Sequence, residues 1–311
     1  MRKVNMKILI TTPTGNIGRR IVRELLAPEF SVRVIVRDPA RLPEEVRTQV
    51  KVIRGSLDDA TTMRRALDGV EALFFCVPTE SRQEMNVRGH YERFASAAAE
   101  AIRAARTPRV VTISAGGKGR ARNAGPISAL HAMEDILNKS GAAIRHLRCG
   151  MFMENILWQT QAIAEHGVLS YPMPGHIPIP MVAVTDIADV ALRWLARRDW
   201  SGVASVAVHG PEDLSYSQVA AVVERVLERP VRYREVAANA YMQTLVGRGA
   251  SVAYAQSLVA MFTELAAGIA QAEPRTFDTT TSTTLSEWVR QELLQPIAPQ
   301  SETMPCIVGE A

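Results

Sequence analysis

Six short apolar runs, each separated from the next by a helix-compatible stretch or a turn, constrain this chain more than any other feature. The runs are "KILIT" (7–11), "SVRVIVR" (31–37), "VKVIRG" (50–55), "EALFFCV" (71–77), "RVVTISA" (109–115) and "AIRHLRC" (143–149). Between them lie "NIGRRIVRELLA" (16–27), "ATTMRRALDG" (60–69), an alanine-rich stretch over 85–105 and "SALHAMEDILNKSG" (128–141), with apolar residues at helical spacing. Strands without a polar face are buried on both sides, and parallel strands need crossover connections. The sequence therefore predicts an α/β protein: a doubly wound, mostly parallel Rossmann sheet with a smaller C-terminal α/β substrate lobe. Ligands of such sheets bind outside the carboxyl ends of the strands, at the point where the strand order reverses.

After residue 150 the pattern changes. "VLSYPMPGHIPIPMV" is proline-rich and extended, and "TDIADVALRWLARR" (185–198) reads as a helix capped by Thr185 or Asp186. "ASVAVHG" (204–210) reads as a strand, and "SYSQVAAVVERVLERP" (215–230) as a helix capped by Ser215. "VRYREV" and two helical stretches to about residue 272 follow. The expected organisation is a dinucleotide-binding unit over 1–150, a substrate lobe interleaved with it over 151–292, and a disordered tail over 293–311.

Composition excludes several classes. A formal charge of +4 is spread among 36 basic and 32 acidic residues, without a basic block, and aromatic residues make up 5%. This argues against nucleic-acid binding. No apolar stretch reaches the roughly 20 residues of a membrane span, and the short apolar start runs straight into a glycine turn, so it reads as a strand and not a leader. Three cysteines, Cys76, Cys149 and Cys306, lack metal-like spacing and fit a reducing compartment. The expectation is a cytoplasmic protein with a small-molecule substrate, no metal, no membrane partner and scope for a homodimer.

The turn after the first strand, "TTPTGNIG", raises the main question. Gly15 and Gly18 sit where a phosphate-binding turn places them, but Thr12 stands where such a loop usually has its first glycine. Pro13 is expected to force Thr12 into an extended conformation, so Thr12 does not copy a glycine of positive φ. The hydroxyls of Thr11, Thr12 and Thr14 are then candidate phosphate donors. The alternative is a turn that merely looks like a nucleotide loop. The second strand ends in Arg37, followed by Arg41. An arginine there favours a 2′-phosphate, which points to NADP(H). The "GSLDD" loop after the third strand is expected beside the adenine.

These pieces, in order, resemble the NmrA-like group of atypical short-chain dehydrogenases. That group shows a "TGATGNIG" loop, "VRDP", "GDLDD", "GVDALF", a strand running into serine, and "RPGFFMEN". This chain has "TTPTGNIG", "VIVRDPAR", "RGSLDD", "GVEALFF", "RVVTISAGG" and "LRCGMFMENI", and the resemblance covers roughly residues 7–240. It implies a cofactor site of Thr12, Thr14, Gly15, Asn16, Ile17, Gly18, Arg37, Ser56, Leu57, Val77, Ser114, Gly150, Met151 and Phe152. Met153 and Asn155 are implied for the substrate pocket. Three positions depart from the pattern: Thr12 for glycine, Ser56 for aspartate and Cys149 for proline.

Standard short-chain dehydrogenases place a tyrosine and a lysine four apart on one helix. "PISALHAMEDIL" has neither; His131 stands about where the resemblance puts the lysine. Either it holds the nicotinamide ribose or donates a proton, with Glu134 and Asp135 raising its pKa, or it is a half-exposed histidine on an amphipathic helix. The implied activity is NADPH-dependent hydride transfer to an apolar unsaturated molecule (a quinone, an azo or imine-like dye, or an enone). A non-catalytic NADP(H)-binding sensor is the alternative.

Overall fold

The computed structural model describes residues 5–120 and 123–293. The expected 293–311 tail therefore lies outside the described residues, except for Leu293. The chain runs β1 (Met6–Ile10), α1 (Asn16–Glu24), β2 (Phe30–Val36), α2 (Glu44–Arg47), β3 (Lys51–Arg54), α3 (Ala60–Leu67), β4 (Ala72–Phe75), α4 (Val87–Ala105), β5 (Arg109–Ala115), α5 (Pro126–Leu137) and β6 (Ala143–Cys149). It continues with β7 (Met151–Phe152), α6 (Thr160–His166), β8 (Val168–Tyr171), β9 (Ile179–Val182), α7 (Val184–Leu195), β10 (Val203–Val208), β11 (Asp213–Leu214), α8 (Tyr216–Leu227), β12 (Arg232–Glu235), α9 (Ala238–Gly247), α10 (Val252–Ala266) and α11 (Leu285–Glu292).

Seven strands form one parallel sheet in the order β10-β6-β5-β4-β1-β2-β3. The chain leaves β1 toward β2 and β3 and then returns to β4 on the other side of β1, so the switch point lies between β1 and β4. Alternation of side chains divides the core. Leu9, Leu73, Phe75 and Val110 pack toward α4 and α5, whereas Ile8, Ile10, Phe74 and Val111 pack toward α1 and α7. The last strand of the sheet, β10, comes from the second half of the chain and pairs with β6 from Val203↔Ile144 to Val208↔Cys149.

The chain after residue 150 also carries two small sheets, β11-β9-β7 and β12-β8. The Ser215 cap is present as a full capping box with Gln218. The cap expected at Thr185 or Asp186 is not. Helix α7 starts after Ala183 with no side-chain cap of its own, and Val184 N–H donates instead to the Glu154 carboxylate at 3.0 and 3.1 Å. Asp186 is engaged elsewhere, accepting from Thr283 N and Oγ1 at 3.0 and 2.6 Å. Among the described residues no helix is long and apolar enough to cross a membrane, and no cluster of three His, Cys, Asp or Glu side chains could hold a metal ion.

Candidate active site

The loop between β1 and α1 corrects the expectation for Thr12. Its φ is 49°, in the left-handed region, despite the following proline. A β-branched residue is a true outlier there. Gly15 N–H donates to Thr12 O at 3.1 Å, closing a tight turn. A Cβ on Gly18 would sit 2.1 Å from Thr12 O, so the helix crosses the loop at a distance only glycine permits. Thr12 thus does copy the backbone state of the absent glycine, because the turn is over-determined by β1 on one side and α1 on the other. Its hydroxyl is buried without a hydrogen bond of standard geometry, beside the Cys76 thiol, and is not aimed at a ligand. Nor is Thr11 a phosphate donor: its hydroxyl donates to the Phe74 and Cys76 carbonyls and accepts from Cys76 N–H at 2.8 Å, pinning β1 to β4.

What the loop offers an anion is backbone. Gly15 caps α1 with no side-chain hydrogen bond, and no acid occupies the first turn, so the helix presents uncompensated N–H groups from Asn16 and Ile17 onward. Thr12, Thr14 and Gly15 line a large cleft together with Arg37, Arg41, Ser56 and Leu57. Arg37 and Arg41 are exposed and make no ion pair among the described residues. Asp38, the acid beside them, is committed to Ala40 N–H at 3.0 Å. Ser56 donates to Asp58, whose carboxyl Arg93 also holds at 3.3 Å. Val77 is buried in the core, and it is Pro78 and Thr79 after it that line the cleft.

Across the switch point, Ser114, Gly150, Met151 and Phe152 line a second, narrower pocket with apolar walls from Ile127, Leu130, Ile179, Met261 and Leu265. Met153 and Asn155 are buried behind this wall and do not line it; Asn155 Nδ2 lies 3.0 Å from Met151 Sδ. Beneath the pocket lies an ion network invisible to sequence spacing. Glu134, 1% exposed, accepts from Ser114 Oγ at 2.6 Å and from Arg148 at 3.1 and 2.9 Å, with Lys118 Nζ at 3.1 Å. Arg148 also bridges to Glu273 at 3.0 Å. Burial alone would raise the Glu134 carboxyl, but Arg148, His146 and Ser114 overcome it and hold it down at about 2.

His131 is not the half-exposed histidine of one expectation, and it turns to the carboxyl end of β5 as the other required, but without the raised pKa that Glu134 and Asp135 were expected to give it. It is 8% exposed, and its Nε2 lies 3.0 Å from Ala115 O and 3.1 Å from Gly116 O, so Nε2 carries the proton and donates. Burial lowers its pKa, and the Ala115 bond and Glu134 only partly oppose this. Glu134 is already neutralised by Arg148 and Lys118, and Asp135 by Lys118 at 2.6 Å. The ring thus faces the backbone after β5 and shapes the turn that borders the pocket.

Two further residues were not singled out from the sequence. Glu154, inside the quoted "FMEN", is half-buried and accepts from Val184 N–H and from Trp288 Nε1 at 3.1 Å; desolvation of the carboxyl pushes it up to about 7. His209 follows β10 and lines the narrow pocket. The signal for His209 is the one that selected Ser114: a polar residue at the carboxyl end of a sheet strand. Cys76 and Cys149 are buried free thiols. Burial pushes the Cys76 thiol up to about 12 and the Cys149 thiol higher, so both are inert packing.

Known proteins resemble this chain in sequence and in fold. The chain is 30% identical over 246 residues to an NAD(P)H azoreductase of Xenophilus azovorans, covering 78% of this chain and 81% of that protein. It is 32% identical over 245 residues, with the same coverage, to a (4-alkanoyl-5-oxo-2,5-dihydrofuran-3-yl)methyl phosphate reductase of Streptomyces griseus. Among solved structures, an NADPH-dependent quinone oxidoreductase of Escherichia coli complexed with NADPH superposes with a TM-score of 0.78 at 24% identity, covering 91% of this chain and 99% of that one. The triphenylmethane reductase of a Citrobacter species, complexed with NADP(H), superposes with a TM-score of 0.78 at 18% identity, covering 91% and 99%. The NmrA-like family model matches residues 4–289, nearly the whole chain. On the loop, the sheet order and this match together, the chain belongs to the NmrA-like family.

Proposed function

We propose that this chain is an NADPH-dependent reductase that transfers hydride to a flat, apolar unsaturated small molecule of the quinone, azo, imine-like or enone class. The observation that carries the reading is the pair of cavities along the carboxyl ends of the strands, one lined by residues at the ends of β1, β2 and β3 and the other by residues at the ends of β5, β6 and β10. The first is built for a phosphorylated nucleotide and the second for an apolar ring. The names of the azoreductase and of the furanyl phosphate reductase support it.

NADPH, when bound, supplies the hydride from its nicotinamide. The loop Thr12–Gly15 and the open N-terminus of α1 would take the pyrophosphate, with Thr14, Gly15, Asn16 and Ile17 contributing backbone N–H groups. Gly18 permits the close approach of helix to loop. Arg37, with Arg41, would grip the 2′-phosphate, and Ser56 and Leu57 would flank the adenine, with Val77 packing behind. Ser114, Gly150, Met151 and Phe152 would border the nicotinamide. The apolar wall excludes water from the place where the substrate lies. A substrate whose reduced anion is delocalised needs little help from a protein acid, which accommodates the absence of a tyrosine and lysine on α5. His131 serves here as a positioning residue for the Ala115–Gly116 turn. The cofactor unit is 1–150 and the substrate lobe 151–292; Ile179, His209, Met261 and Leu265 reach the pocket from the latter. A cytoplasmic setting, supported by the buried free thiols, completes the reading.

The test is NADPH oxidation with a panel of quinones and azo dyes, alongside titration of NADPH and NADH by fluorescence. NADPH should bind more tightly than NADH. Arg37→Ala should shrink that preference about tenfold, equivalent to roughly 1.4 kcal/mol. Equal affinities in the unmodified protein refute the assignment of Arg37, and tight binding without turnover of any panel member turns the reading to a sensor.

A further inference from the structure

We infer that His209 is a specificity-determining residue of the narrow pocket, giving the hydrogen bond that selects substrates carrying a polar heteroatom on an otherwise apolar ring. The inference rests on the reductase reading for its ligand class, but its evidence is the pocket itself. Three residues with a hydroxyl, thiol or imidazole line that pocket among the described residues: Ser114, Cys149 and His209. Ser114 spends its proton on Glu134 at 2.6 Å, and Cys149 Sγ lies 3.5 Å from Leu147 O. His209 is different. It is 3% exposed; its Nδ1 is buried without a hydrogen-bond partner, and its Nε2 makes no hydrogen bond among the described residues and, unlike Nδ1, is not closed off, so Nε2 is the nitrogen a ligand can reach.

A nearly buried ring with no hydrogen bond at either nitrogen is costly, so such a ring at a cavity wall points to a ligand. The backbone around His209 is fixed and does not supply that partner. His209 N–H donates to Thr279 O at 2.9 Å, and Thr281 N–H donates to His209 O at 2.7 Å, so the ring is held at the wall by a strand-like clamp. Arg275, Asp213 and Glu273 act on the ring, and the arginine is itself committed to Asp213 and to Gly210 O. Burial first, then Arg275, holds the imidazole neutral. A neutral imidazole donates from one nitrogen and accepts at the other. It can therefore donate to a carbonyl oxygen or azo nitrogen, and accept from the hydroxyl or amine that replaces it after reduction. The remaining walls, among them Ile127, Leu130, Met261 and Leu265, offer only dispersion and shape. A hydrocarbon of the same outline then gains nothing from His209, whereas a quinone gains one hydrogen bond.

The experiment measures binding without turnover, on the protein saturated with NADP⁺, by equilibrium dialysis of 1,4-naphthoquinone and of naphthalene. His209→Phe keeps the ring and removes the hydrogen bond; His209→Gln keeps a donor and an acceptor. His209→Phe should weaken 1,4-naphthoquinone about three- to tenfold and leave naphthalene within about twofold, and His209→Gln should stay within about threefold of the unmodified protein for both. Should His209→Phe fail to fold, the unmodified protein decides: 1,4-naphthoquinone, but not naphthalene, should move the His209 ring ¹⁵N resonances. Equal losses for both ligands, or immobile ring resonances, overturn the inference. So does failure of 1,4-naphthoquinone to bind while NADP⁺ binds normally; failure of NADP⁺ itself is what brings down the reductase reading.

Discussion

Replacing Thr12 with glycine should make the protein more stable and change NADPH binding little. Thr12 holds φ at 49°, and a left-handed conformation costs a side-chain-bearing residue roughly 1–2 kcal/mol. Its hydroxyl is buried without a well-formed hydrogen bond, a state that costs about 1–3 kcal/mol in full and less where a weak contact remains. Against this, glycine forfeits about 0.5–1 kcal/mol of backbone entropy and one buried methyl of about 0.8 kcal/mol. The sum favours Thr12→Gly by about 1 kcal/mol, or about 2 °C in Tm for a chain of this size. Because the backbone already has the shape a glycine would give it, and the hydroxyl points away from the cleft, the Kd for NADPH should change by less than about threefold. Thermal unfolding followed by circular dichroism and a fluorescence titration measure the two effects. A lower Tm refutes the strain argument. A tenfold gain in NADPH affinity refutes the claim that the loop is already in its binding shape, and means that the threonine distorts it.

Gly15 has φ −81° and ψ 170°, which any residue adopts; Gly15→Val should therefore fold normally by circular dichroism yet lose NADPH binding, because the new side chain stands where phosphate meets backbone, and a folded variant with normal binding excludes the loop as the phosphate site. His131→Ala should lower stability by about 1–3 kcal/mol, by stranding the Ala115 and Gly116 carbonyls, more than it lowers kcat. Since the folded-state pKa of His131 is lowered, its contribution is complete above about pH 6.5 and is lost as pH falls; chemical denaturation from pH 7 to 5 should show a shallower loss in the alanine variant. A stable variant whose kcat falls a hundredfold reinstates His131 as the proton donor. The Glu134 carboxyl, held at about 2 against an ordinary 4.5, contributes stability above pH 4.5 that disappears as pH falls toward 2. Glu134→Gln should cost on the order of 3 kcal/mol at pH 7, because Arg148 and Lys118 lose their shared partner, and little at pH 2; equal stability at pH 7 would show that the network is not holding β5, α5 and β6 together.

The sheet was legible because its strands are apolar runs with no alternative fate. β5 and β6 match the sequence boundaries residue for residue, and β1 differs by one position. Arg37 and the glycines of the loop were legible because their positions relative to a strand end carry the chemistry. Thr12 misled because a local rule about the residue before proline was overridden by the turn that β1 and α1 impose. The α7 cap misled for a similar reason: the acceptor for Val184 N–H comes from Glu154, 30 residues away. The same blindness to distance hid the surroundings of His131. Its neighbours on the helix were visible, but Arg148 and Lys118, which already neutralise Glu134, sit on β6 and on the loop after β5.

The position of β10 bears on how the chain acquires its structure. Each residue of Val203–Val208 pairs with a β6 residue 59 positions earlier in the chain. Until residue 208 has emerged from the ribosome, β6 remains an unpaired edge of bare N–H and C=O groups, and the pocket lacks His209. A fragment ending near residue 150 would carry the whole nucleotide loop, yet expose a hydrophobic edge able to pair with another copy. The connection also raises the contact order, which slows folding. Synthesis of the second half is thus coupled to protection of the first, and truncations of this protein should aggregate before they misbind.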